Sequence, residues 1–216
     1  MLTSCDASSL LIDRLCDQAR GQEQEVAVAC FYFDFAARKE QSSTSMLGAV
    51  LKQVVSGLDE VPEEIARAYE DHKKVIGGRG PELADIVRML QATASERPTF
   101  ICIDALDECV AGHRVKLLDS LSQVLQRSPG TRMFLTGRPH IQAEVGSRLS
   151  RRVTTIRITP RSHDIINYLR SRLDEDTTPD AMDSSLKADI LKKISQDISE
   201  VYVEIATLEK LLQVVH

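Results

Sequence analysis

Phe100-Ile101-Cys102-Ile103-Asp104-Ala105-Leu106-Asp107-Glu108-Cys109 decides how this chain is read. Four residues of buried type end in an aspartate, and two more carboxylates follow after a small and an apolar residue. A short apolar run of this kind predicts a strand covered on both faces, as in a parallel sheet. Carboxylates at such a strand end are hard oxygen donors of the kind magnesium takes. One or two suffice, because the ion keeps several of its waters. Asp104 fits the metal position, and Glu108 or Asp107 fits the group that polarises a water. A plainer reading stays open, in which Asp107 and Glu108 only cap the helix expected to begin near His113.

Outward from this run, apolar spacing alternates between the strand and helix periods. Residues Ala7–Ala19 predict a helix, and Val26–Phe35, dense in β-branched and aromatic residues, predicts a buried strand. Leu47, Val50, Leu51, Val54 and Leu58 form one helical face behind the hydroxyl-bearing run Ser42–Ser45, which offers N-caps. Pro62 suits the first turn of a further helix. Leu83, Ile86, Val87 and Leu90 mark the next one, beyond the break at Gly77-Gly78-Arg79-Gly80-Pro81. A helix over His113–Arg127 and strands over Thr131–Thr136 and Val153–Ile158 follow. After Pro160 only helical patterns remain: Ile165–Leu173, Leu186–Ile198 and Val201–Val215. Alternation predicts an α/β domain with a parallel sheet and helices on its faces, over residues 1–160, followed by a helical segment over 161–216.

The second informative stretch is Arg132-Met133-Phe134-Leu135-Thr136-Gly137-Arg138-Pro139. It comes one strand–helix–strand unit after the acidic run, so its exit belongs to the same edge of the sheet. Arg138 there can sense a terminal phosphate through a two-pronged contact, and Pro139 holds its backbone extended.

Composition narrows the classes. Hydrophobic residues make up 43% of the 216, and the net charge is −5. That balance argues against nonspecific nucleic-acid binding, which needs a positive surface. The cluster Arg148, Arg151, Arg152, Arg157 and Arg161 reads as a solvated face. Five cysteines, an odd number with no C-x-x-C pair, indicate a reducing compartment. The five histidines show no metal spacing with them. No run is long and apolar enough to span a bilayer, and no secretion signal opens the chain. The expectation is a cytoplasmic protein whose partners are other proteins or further copies of itself, engaged through helices.

Together, Phe31-Tyr32-Phe33-Asp34-Phe35, Gln41–Val55, Phe100–Cys109 and Phe134–Pro139 resemble the NACHT group of signal-transducing P-loop NTPases (STAND class). More narrowly they resemble the nephrocystin-like N-terminal domains of fungal receptor-like proteins. The resemblance runs from about residue 8 to about residue 173. It implies a three-layer α/β/α switch that binds ATP or GTP with Mg²⁺. In such a switch Asp104 organises the metal, Glu108 or Asp107 acts on the water, and Arg138 meets the γ-phosphate.

The departure is as informative as the likeness. No G-x-x-x-x-G-K-[ST] phosphate loop occurs in the 216 residues, and Gly77–Gly80 lacks the lysine–hydroxyl pair. In the resembled sheet the strand before that loop is central, beside the strand that leads to Arg138 and the strand near Val153. Without it two inner edges lack partners. Another segment fills the slot, or the sheet closes differently, or the chain folds poorly, or the gene model is incomplete at its N-terminus; the last is the expectation. Without loop amides and lysine, this chain is expected to bind nucleotide weakly or not at all, and so to have no cofactor of its own.

Overall fold

The computed structural model describes residues 9, 12–17, 26–74, 80–149, 153–158, 162–175, 184–197 and 203–208. Residues 12–17 are helical (α1). Then come β1 (Ala27–Tyr32), α2 (Ser43–Ser56), α3 (Glu63–Lys74), α4 (Leu83–Glu96) and β2 (Thr99–Asp104). A 3₁₀ turn over Leu106–Glu108 leads into α5 (Ala111–Arg127) and β3 (Thr131–Gly137). A second such turn, Pro139–Ile141, leads into α6 (Gln142–Leu149). β4 (Val153–Ile158), α7 (Ser162–Glu175), α8 (Ser184–Asp197) and β5 (Val203–Leu208) complete the order. The fold is mixed α/β, as the alternating pattern requires.

One sheet runs β1-β2-β3-β5-β4. β1, β2 and β3 pair in parallel, with Cys30 opposite Cys102 and Cys102 opposite Phe134. The period of two divides each strand between faces. Ala29, Ile101, Ile103, Met133 and Leu135 turn toward α2, α4 and α5, whose Leu47, Val50, Leu90, Leu118 and Leu121 are buried against them. Cys102 and Phe134 turn the other way and meet Leu15 of α1.

Two polar side chains close what packing leaves open. β1 is an edge strand, and Gln53 of α2 covers it at Cys30. Its Oε1 accepts the Cys30 N–H at 2.9 Å, and its Nε2 donates to the Cys30 carbonyl at 2.8 Å. At the same, C-terminal end of α2 the buried Arg97 donates to the carbonyls of Val54 (2.5 Å) and Gly57 (2.7 Å). These are carbonyls that a helix end leaves without intrahelical partners, and a cation there also suits the helix dipole.

The tail corrects the sequence reading. Val201–Val215 was expected to be helical, yet 203–208 form β5, which lies between β3 and β4 and is antiparallel to both. The inner edges expected to be bare are therefore paired, because another segment of the same chain fills the slot. Helical spacing misleads here because Val201, Ile205 and Leu208 satisfy it while Val203-Glu204-Ile205 also alternates. Helix α6 carries no expectation from the sequence, being short, preceded by Pro139 and interrupted by Gly146. The Gly77-Gly78-Arg79 break and Arg151, Arg152 and Arg161 lie outside the described residues. Among the described residues no helix is long and apolar enough to cross a membrane.

Candidate metal and phosphate rim

The strand ends of β2 and β3 build the site. Asp104 is the last residue of β2, only 6% exposed. Immediately after it Ala105 adopts φ 54° and ψ 45°, the left-handed region that an L-residue enters at a cost of about 1–2 kcal/mol. This bend lets the next three residues coil back over the strand end. Leu106 and Cys109 are buried and anchor the turn at both sides, so that Asp107 and Glu108 face the rim between them.

β3 meets this turn from the side. Thr136, buried, donates its hydroxyl to Asp104 Oδ1 at 2.5 Å and accepts the Ala105 N–H at 3.0 Å. One side chain thus fixes both the carboxylate and the bend behind it. Gly137 follows where a Cβ would stand 2.7 Å from Ile141 Cδ1. Arg138 then bridges the two exits. Its N–H donates to Asp107 Oδ1 at 3.2 Å, its Nε lies 3.3 Å from Asp107 Oδ2, and its terminal nitrogen lies 3.3 Å from Glu108 Oε1. The guanidinium is 69% exposed, whereas the side chains of Asp107 and Glu108 are 6% and 20% exposed.

Behind the rim, Arg114 of α5 ties the two loops together. It donates to the Cys109 carbonyl at 2.9 Å and to Glu144 Oε2 of α6, also at 2.9 Å. Burial pushes the Cys109 thiol up to about 11, against a partly opposing pull from Arg114. Burial likewise pushes Cys102 up to about 12, with Cys30 and Cys16 adding to the effect.

All four residues singled out in the sequence, Asp104, Asp107, Glu108 and Arg138, therefore stand on one rim at the carboxyl ends of β2 and β3. Asp107 and Glu108 do not cap α5: its N-cap is Val110, with no side-chain cap bond. The sequence reading missed Thr136, Ala105 and the Arg114–Glu144 pair. A threonine in a strand reads as a β-former, and only the register exposes its role.

The donor set suits magnesium, since carboxylate and hydroxyl oxygens are what that ion takes. Among the described residues no three acidic, histidine or cysteine side chains converge on a point, so an ion here would keep most of its waters. A triphosphate fits less well. The cavity beside the rim, bounded by Leu106, Thr136, Arg138, Ile141 and Val145, holds about 30 Å³. A ligand pocket is typically about 300 Å³ or more.

The family described as Nephrocystin 3, N-terminal matches residues 7–138, more than half of the chain. The matched span contains β1, α2 to α5, β2, β3 and all four rim residues. No curated relative matches the sequence.

Proposed function

This chain belongs to the nephrocystin 3 N-terminal family, and we propose from that membership that it is part of a NACHT-type nucleotide-dependent signalling switch. In this reading the intact parent binds and hydrolyses ATP or GTP, and these 216 residues bind it weakly or not at all. In it residues 1–160 are the NTPase-type core and 161–216 a following segment, of which β5 completes the core's sheet. The observation that carries the reading is the shared rim, where a buried aspartate, two further carboxylates and a guanidinium meet across adjacent parallel strands. Open α/β sheets take their ligands at that end.

The residues would act as follows. Asp104, held by Thr136, would meet Mg²⁺ through water. The ion would supply charge neutralisation on phosphate oxygens. Glu108, or Asp107, would accept a proton from the attacking water. Arg138 would stabilise a terminal phosphate after exchanging its carboxylate partners for phosphate oxygens. In the intact parent, Glu108→Gln should keep nucleotide bound while turnover falls by about 100-fold or more, the usual range for a lost general base. Undiminished turnover removes Glu108 from that role.

The closed state of the rim favours a second reading. Arg138 is already paired with both carboxylates, and the adjoining cavity is about 30 Å³. A module of this kind can be non-catalytic and serve protein partners or self-association through its helices.

A further inference from the structure

We propose that the gap between β3 and β4 is a strand acceptor, which a second copy of this chain can fill with its own residues Val203–Leu208. β3 and β4 both run antiparallel to β5, so they are parallel to each other and stand one strand apart. The chain leaves β3, passes through α6 and enters β4 without occupying the space between them. The space is filled only by the last described element, which follows the packed pair α7 and α8 in the chain.

That filler runs against the direction of every other strand. Glu204 lies opposite Gly137 and Arg157, and Thr207 lies opposite Phe134 and Thr154. The chain therefore enters the slot at the Asp104–Arg138 rim and leaves it at the far end.

An empty slot would strip backbone partners from two strands at once, at about 1–3 kcal/mol for each buried group left without one. Some strand is therefore needed there. Which copy supplies it is open, because the four register pairs with β3 and the six with β4 are main-chain pairings that either copy makes identically. Exchange of an identical element is a low-cost route to a dimer. Closed and exchanged forms differ in whether β5 fills a slot of its own chain, which sets the crossover concentration near the intramolecular effective concentration, on the order of 1 mM. The closed chain dominates when dilute, and the exchanged dimer appears when folding occurs in concentrated solution.

The test uses two full-length variants with different tags, one Thr155→Cys and the other Ala206→Cys, since those residues lie opposite each other in register. They are unfolded together, refolded at about 1 mM and oxidised. A reducible heterodimer carrying both tags is expected, several-fold above that from Thr155→Cys paired with Lys192→Cys on α8. A second pair, Thr154→Cys with Thr207→Cys, repeats the test on the opposite face and guards against a folding defect in the first. Wild-type chain refolded in the same way should contain a dimer by light scattering. Heterodimer no more abundant than the control with both pairs, or wild-type chain that is wholly monomeric, overturns the proposal.

Discussion

Replacing Thr136 by valine keeps the shape of the side chain and removes its hydroxyl, and so isolates the bond network behind the rim. The hydroxyl donates to the buried Asp104 carboxylate at 2.5 Å and accepts the Ala105 N–H at 3.0 Å. A hydrogen bond to a charged group contributes about 1.5–3 kcal/mol, and an N–H left half-buried without a partner costs about 1 kcal/mol more. Valine should therefore destabilise the chain by about 3 kcal/mol. Serine retains both bonds and loses one methyl, about 0.8 kcal/mol. Urea unfolding followed by circular dichroism reads both. With a slope of about 2 kcal/mol per molar, the valine midpoint falls by about 1.5 M and the serine midpoint by about 0.4 M. A valine variant as stable as the serine variant refutes the argument, since nothing but the hydroxyl distinguishes their effects on Asp104.

Arg97→Met should lower stability by about 2–3 kcal/mol, because Val54 and Gly57 lose the guanidinium at the end of α2. That is a fall of about 5–10 °C in a thermal melt for a chain of this length, and an unchanged melting temperature contradicts the capping role. The buried thiols set a pH dependence on the alkaline side. Cys102 and Cys109 rise from the ordinary value of 9.0 to about 12 and about 11. The unfolded chain then loses protons first as pH rises, so the contribution is complete below pH 9 and declines between about 9 and 12. Alkaline melts of Cys102→Ala should be flatter over that window than wild type, and at pH 8 both thiols should resist an aromatic disulfide reagent that unfolded chain consumes.

The particular elements show how far the sequence carries. Val153–Ile158 is legible to the residue because a partly alternating pattern is bounded on both sides by arginines and a proline. Asp104 and Arg138 are legible as neighbours because two consecutive parallel strands must present their ends on one edge. The Thr136 bonds are not legible, since they depend on the Ile103–Leu135 register rather than on any spacing within one segment. Ala105 at positive φ hides for a similar reason: nothing local requires a left-handed alanine, and the surrounding turn imposes it. Arg97, before a proline, reads as the end of a loop, and its partners are 40 and 43 positions away as 2.7 and 2.5 Å contacts to carbonyls. β5 is the largest miss. Its residues fit two periods, and the long-range pairing that chooses between them is invisible along the chain.

Titration calorimetry of Mg²⁺·ATP into the wild-type chain tests the account most directly. A rim that presents an aspartate, two paired carboxylates and a guanidinium, without a cradle of loop amides, should not saturate at about 1 mM nucleotide, a binding free energy weaker than about −4.1 kcal/mol. A saturable isotherm with a dissociation constant near 1 μM, about −8.2 kcal/mol, would mean that these 216 residues hold the triphosphate through contacts this account does not contain.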